Sequence, residues 1–175
     1  MLGYNLPMIL KPQDVLICLK IALQREQGWS YQSLADTLFL SSSEAFAGAK
    51  RAEEARLIDL SCRLVHKNAL LEFLLHGVKY AYPPKRGGLT RGVLTGYAAP
   101  PLNRQFSSVQ DAPPVWPTLD GAVRGYEFSP LYVSVPKATA GDENLYEILA
   151  LIDAIRDGKA REANLAAQEL KARLC

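Results

Sequence analysis

The stretch Leu34 to Ile58, LADTLFLSSSEAFAGAKRAEEARLI, decides how the rest of the chain is organised. The first part of this stretch predicts a short helix that begins after Ser30, which can cap it. The apolar residues of this helix share one face: Leu34, Ala35 and Leu38. A tight turn follows at Phe39 and Leu40. Ser41, with Glu44 three residues later, forms a capping box, because the serine oxygen accepts an amide N–H while the carboxylate reaches back to the cap. A second helix is therefore predicted directly after this serine.

The second helix is predicted to have two different faces. Small residues, which let a helix lie close to its neighbour, form the inner face: Ala45, Gly48, Ala49 and Ala52. The outer face is polar and basic at its far end, with Ser42, Ser43, Phe46, Ala47, Lys50 and Arg51. Two helices joined by a tight turn, the second with such a face, are typical of a DNA-binding helix-turn-helix. Two amphipathic helices of an ordinary α-helical core remain the alternative.

The run from Leu38 to Ile58 resembles, without gaps, the recognition-helix segment of bacterial winged helix-turn-helix regulators of the MarR type. The resemblance extends over about Lys11 to Leu60. Phe39 and Arg56 stand where the family usually has glycine. The resemblance implies a winged helix-turn-helix fold whose recognition helix, residues 42–55, enters the major groove of double-stranded DNA.

The DNA-binding residues expected under this hypothesis are Ser42, Ser43, Phe46, Ala47, Lys50, Arg51, Lys85, Arg86 and Arg91. The first four would face base edges, with Phe46 against a thymine methyl group. Lys50 and Arg51 would bind phosphates or guanine edges, and the last three would lie along the flanking backbone.

The sequence does not predict the wing, the β-hairpin of a winged domain, at its usual place. A winged domain normally has a β-hairpin immediately after the recognition helix, but residues 60–77 predict a short strand followed by another helix. The hairpin is therefore expected later, with strands at 78–82 and 89–97 around the basic tip 83–88. A surface loop that packs through its tyrosines is the alternative.

The predicted fold class is mainly α with a small β-hairpin, in three parts. Residues 11–97 would form the DNA-binding domain. Residues 98–141, rich in proline and glycine, predict an irregular extended arm with one edge strand within 126–135. Residues 142–175 predict helices with an apolar stripe of Leu145, Ile148, Leu149, Ile152 and Ile155. A second subunit is expected to cover this stripe and make a homodimer, although the helices would equally fold back on their own subunit.

The net charge is only +2, but it is unevenly distributed. Residues 50–104 carry ten Lys and Arg against four Asp and Glu, a net charge of +6, whereas the segments before and after carry −1 and −3. A phosphate-binding surface needs such an asymmetry. A solvated basic face without a partner would show it too.

Other functional classes find little support. No run approaches the roughly 20 apolar residues of a membrane span, and residues 1–10 lack the features of a secretion signal, so a cytoplasmic protein without a membrane partner is expected. The cysteines, Cys18, Cys62 and Cys175, have no zinc-site spacing and are expected to be free thiols. His66 and His76 have no metal-site spacing either, and no catalytic constellation or cofactor motif is evident.

Two functional hypotheses follow. In the first, the chain is a sequence-specific transcriptional regulator, a repressor, that binds double-stranded DNA as a homodimer. In the second, it is a protein-interaction module on a winged-helix fold, such as an antitoxin or adaptor, with residues 98–175 binding a partner protein.

Overall fold

The computed structural model of the 175-residue chain describes residues 9–24, 28–106 and 112–174. The fold is mixed α/β rather than mainly α. The helices are α1 (Pro12–Leu23), α2 (Tyr31–Leu38), α3 (Ser42–Glu54), α4 (Lys67–Glu72), α5 (Val78–Ala81), α6 (Val135–Thr139), α7 (Glu143–Asp157) and α8 (Ala160–Leu174). The strands are β1 (Ile58–Asp59), β2 (Leu64–Val65), β3 (Arg86–Leu94), β4 (Pro114–Pro117) and β5 (Val123–Phe128).

Helices α2 and α3 form where the sequence predicts them. The Ser30 hydroxyl oxygen accepts a hydrogen bond from the Ser33 N–H at the start of α2. At the start of α3, the Ser41 hydroxyl oxygen accepts from the Glu44 N–H at 3.2 Å, and the Glu44 carboxylate accepts from the Ser41 N–H at 2.9 Å. The predicted capping box is therefore confirmed. The small-residue face of α3 is buried, and α3 packs against α1 and α2.

Two non-glycine residues adopt left-handed backbone conformations at the ends of these helices. Phe39, which ends α2, has φ 55°, and Arg56, two residues after α3, has φ 58°. Such conformations favour glycine because it has no Cβ. The chain therefore turns sharply after α2 and again after α3.

A short antiparallel hairpin follows α3 directly, with Ile58 opposite Val65 in β1 and β2. The expectation that the hairpin comes later, within residues 78–97, is wrong, because Val78–Ala81 is helical. A π-helical turn at Phe73–Gly77 joins α4 to α5. The physical reason is burial at helical spacing, since Leu70, Leu74 and Val78 are all fully buried. This four-residue period outweighs the local alternation that suggested a strand.

One aspartate shapes the turn of the hairpin. The Asp59 carboxylate accepts hydrogen bonds from the Ser61 N–H at 2.8 Å and the Ser61 hydroxyl at 2.6 Å, and a longer one from the Cys62 N–H. Arg63, with φ 59°, then turns the chain back into β2. The bonds to Ser61, the hydroxyl first, lower the pKa of Asp59 to about 2.

We expect Asp59→Asn to reduce the acid sensitivity of the protein. The folded-state pKa of about 2 lies below the ordinary value of 3.8, so the stabilisation from Asp59 is present above pH 3.8 and is lost as the pH falls towards 2. Urea unfolding between these pH values should show a shallower loss of stability in the variant than in the wild type. Asp120→Asn, at an exposed carboxylate, is the control. Identical slopes for all three proteins would contradict the assigned role of Asp59.

Strands β3, β4 and β5 close on one another. β3 pairs antiparallel with both β4 and β5, and β4 pairs parallel with β5. Glycine permits this closure at two positions. A Cβ added at Gly92 would lie 2.0 Å from the Trp116 carbonyl oxygen, and one at Gly125 would lie 2.1 Å from the Pro113 carbonyl oxygen.

The prediction that residues 98–141 are irregular is therefore wrong for their secondary structure. This region contains β4, β5 and α6, and the expected edge strand within 126–135 instead runs over Val123–Phe128. Proline does not prevent a strand here because Pro114 and Pro117 occupy the two ends of β4, where a missing N–H is tolerated. The division of the chain into three parts stays a prediction.

The two C-terminal helices are confirmed as α7 and α8, and they belong to the core of the chain itself. Leu145, Ile148, Leu149, Ile152 and Ile155 are at most 7% exposed, and α7 packs against α1, α5, α6 and α8. The stripe is thus covered without a second subunit. The homodimer stays a prediction, but an uncovered stripe no longer argues for it. None of the helices in the described ranges is long and apolar enough to cross a membrane.

Candidate nucleic-acid interface

The outer face of α3 lies at the surface as predicted. Ser42 and Ser43 are exposed, Phe46 is 49% exposed, and Ala47 is partly exposed. The Ser42 hydroxyl donates a hydrogen bond of 2.7 Å to the side-chain oxygen of Gln32 in α2. This face therefore combines hydroxyl groups with one aromatic ring.

Lys50 continues the same face by one further turn. Its ammonium group lies 3.2 Å from the Glu53 carboxylate, and both side chains are more than a third exposed. An exposed ion pair of this kind contributes little to stability. Lys50 is therefore free to exchange this partner for a phosphate.

Arg51 does not lie on the outer face, so its expected place among the DNA-binding residues is wrong. Its Nε and Nη2 atoms donate to the two carboxylate oxygens of Asp14 in α1, at 2.7 and 2.6 Å. Asp14 is fully buried, and the Arg51 side chain is only 11% exposed. Gly48, one turn earlier, leaves the space for this pair, because an added Cβ there would lie 2.8 Å from an Asp14 oxygen. Arg51 fixes α3 to α1.

The remaining three predicted residues form a separate group at strand β3. Lys85 precedes the strand and is exposed, whereas Arg86 is paired with Asp157 at the end of α7. Arg91 is exposed in the middle of the strand. β3 packs with β4 and β5, whereas α3 packs with α1, α2 and β1. The structure therefore divides the predicted site residues between two different elements.

An aromatic row that the sequence did not predict links the hairpin to α3. The Arg63 guanidinium lies 4.3 Å from the centroid of the Trp29 ring. Trp29 meets Tyr31 edge-on at 5.4 Å between ring centroids, and Tyr31 meets Phe46 at 5.2 Å. In the sequence, the only indication of this row is that the aromatic residues Trp29 and Tyr31 flank Ser30. These contacts fix the position of the hairpin turn relative to the Phe46 ring on α3.

Tyr132 lies at the N-terminal end of α3 and was also missed. Hydrogen bonds from the Ser41 backbone N–H and then from its hydroxyl lower the pKa of Glu44, and the nearby Tyr132 hydroxyl adds a smaller effect in the same direction. Burial, and then Glu44, raises the pKa of Tyr132. The segment before α6 therefore borders the outer face of α3. No sequence pattern places a residue so distant along the chain at this helix end.

The described part of the chain contains no group of three or more His, Cys, Asp or Glu residues that could hold a metal ion. Burial, the largest cause, raises the pKa of Cys18 to about 12, so this thiol is kept protonated, whereas Cys62 is exposed in the hairpin turn. The chemistry of the site is therefore that of hydroxyl, aromatic and cationic side chains.

In comparisons with known proteins, no protein-family model, curated protein or solved structure matches the chain.

Proposed function

We propose that the chain is a winged helix-turn-helix regulator that binds double-stranded DNA through the outer face of α3. The observation that carries this proposal is the order α1, α2, α3 and hairpin, with the outer face of α3 exposed beside the hairpin. In this proposal the protein acts in the cytoplasm as a homodimeric repressor, with one recognition helix of each subunit in successive major grooves.

The way α3 is held supports the proposal. The small inner face lets α3 lie close to α1, while the Asp14–Arg51 pair fixes its rotation about its own axis. The left-handed residues Phe39 and Arg56 end α2 and turn the chain after α3 into the hairpin. A helix held at one face and open at the other can enter a groove as a rigid body.

The exposed side chains of α3 are better suited to contacts with bases than to many contacts with phosphates. Serine hydroxyls donate to or accept from base edges and phosphates, and an aromatic ring packs against a thymine methyl group. Lys50 is the cation of this face, while Glu44 and Glu53 limit its positive charge. We therefore expect few phosphate contacts from α3 and a shallow dependence of affinity on salt.

Phe46→Ala combined with Lys50→Gln should abolish specific DNA binding while the protein stays folded, with a melting temperature lower by a few degrees because Tyr31 loses its contact with the Phe46 ring. Both side chains are about half exposed, and each lost base-edge contact costs about 1–3 kcal/mol. The measurement is fluorescence anisotropy with the duplex immediately upstream of the protein's own coding sequence, at about 50 and about 200 mM salt.

The matched control is Lys171→Gln, which removes one exposed cation from α8. It should bind like the wild type. Unchanged affinity of the α3 variant would exclude α3 as the reading element, and absence of duplex binding by the wild type at the lower salt would exclude the proposal as a whole.

The second candidate is a protein-interaction module, such as an antitoxin or adaptor, and one observation favours it. Phe39, Phe46 and Val133 are exposed apolar residues on or near the helix-turn-helix, an arrangement closer to a protein interface than to a cationic DNA surface. The experiment above separates the two candidates, because this module predicts no binding to the upstream duplex.

A further inference from the structure

The outward face of strands β3 and β5 carries four adjacent exposed side chains. Arg91 is directly opposite Arg124, and Leu89 is directly opposite Tyr126. Side chains two residues apart on a strand lie on the same side of a sheet, so the two pairs are neighbours on one face. Both arginines are exposed, Leu89 is 51% exposed and Tyr126 is 48% exposed. We call these four residues the β3–β5 patch.

The inner face of the same strands explains why the patch points outward. Thr90 is opposite Gly125 and Gly92 is opposite Val123, and both glycines are buried. Their missing side chains let β4 approach from inside. Closure of the three strands therefore turns the four large side chains of the patch towards solvent.

The two arginines form an unfavourable pair in the free protein. Like charges directly opposite each other on antiparallel strands destabilise the sheet, since their Cβ atoms are only about 4.5–5.5 Å apart. Within the described ranges neither arginine makes an ion pair. Glu127, three residues after Arg124, lies on the other face of β5. Neither Glu127 nor Asp120, in the turn before β5, makes an ion pair in the described ranges. An anion between the two guanidinium groups would remove the repulsion.

The apolar half of the patch indicates what kind of anion fits. A phosphate alone would use the arginines and leave Leu89 and Tyr126 in water, and the backbone of a DNA duplex presents no apolar surface to them. A single-stranded nucleic acid offers both chemistries, because its phosphates bind arginine while an unpaired base stacks on an aromatic ring. We propose that the β3–β5 patch binds single-stranded nucleic acid, with Arg91 and Arg124 on the phosphates and a base stacked on Tyr126.

This site is independent of α3 and of duplex recognition. The test uses the full-length protein and a short fluorescein-labelled oligodeoxythymidine. Arg91→Gln with Arg124→Gln should weaken binding about tenfold or more and flatten the slope of log affinity against log salt by about 0.7 for each lost contact. Tyr126→Thr, which keeps a residue suited to a strand, should weaken binding about fivefold or more without changing that slope.

A charge-matched control separates the site from a general loss of positive charge. Lys137→Gln with Lys171→Gln removes two exposed cations from α6 and α8 and should leave affinity within about twofold of the wild type. Arg124→Glu tests folding, because it places opposite charges across the strands. It should raise the melting temperature and still abolish oligonucleotide binding.

The proposal would be overturned if the double arginine variant and the double lysine control lost oligodeoxythymidine affinity to the same extent. Two further results would also overturn it. One is competition by polyglutamate as effective as that by unlabelled oligodeoxythymidine, which would indicate an acidic protein partner. The other is tighter, patch-dependent binding of a duplex than of the single strand. Phe46→Ala should leave oligodeoxythymidine binding intact, so the outcome is separate from that for α3.

Discussion

Asp153→Ala is expected to destabilise the protein by about 3–5 kcal/mol, the cost of leaving a buried charge without its partner. The Asp153 carboxylate accepts hydrogen bonds from the Thr95 hydroxyl at 2.7 Å and the Trp116 indole N–H at 2.6 Å. It also pairs with Arg156 at 2.6 Å, and both of these side chains are at most 3% exposed. Arg156 in turn donates to the backbone carbonyls of Tyr82 and Ser129. The network joins α7 to the sheet.

Asp157→Ala is the matched control for this prediction. It removes an aspartate of the same helix that is also paired with an arginine, but that pair is exposed, so the expected change is below about 1 kcal/mol. Chemical denaturation gives both values. Similar costs for the two variants would show that burial does not decide the contribution of Asp153.

Arg51→Ala is expected to cost about 3–5 kcal/mol for the same physical reason, although the sequence predicts Arg51 on the outer, DNA-binding face of α3. Asp14 would then keep the Lys11 N–H as its one hydrogen-bond partner among the described residues. Replacing both members of the pair, by Asp14→Asn with Arg51→Met, should recover part of the loss, because no buried charge then remains.

Lys50→Ala, at the neighbouring exposed position of α3, should change stability by less than about 0.5 kcal/mol. The measurement is the free energy of unfolding of the wild type, Arg51→Ala, the Asp14→Asn and Arg51→Met double variant, and Lys50→Ala. Together these four values test the packing of α3 on α1. A cost below about 1 kcal/mol for Arg51→Ala would contradict the role assigned to the Asp14–Arg51 pair.

Local patterns in the sequence predicted the helices around α3 well. The Ser41 and Glu44 capping box sets the start of α3, and both partners are close along the chain, so the pattern is complete within four residues. The buried small-residue face follows from helical periodicity in the same way. For α7, periodicity found the apolar stripe but not what covers it.

The features that the sequence did not predict depend on contacts between residues distant along the chain. Whether Arg51 faces solvent depends on Asp14, 37 residues earlier, and on the space left by Gly48. The Arg91–Arg124 pair likewise requires the register of two strands joined through a third. Residues 98–141 looked irregular because their strands are short and bounded by proline, and only pairing with β3 makes them strands.

Photocrosslinking from position 46 tests the central claim, that the outer face of α3 binds duplex DNA, most directly. A benzoylphenylalanine residue is placed at Phe46, and separately at Tyr80, an aromatic residue of α5 that is also exposed. Irradiation with the labelled duplex upstream of the coding sequence should give a protein–DNA adduct from position 46, reduced by unlabelled duplex of the same sequence, and none from position 80. Equal adducts from both positions, or an adduct from position 46 with protein alone, would contradict the claim.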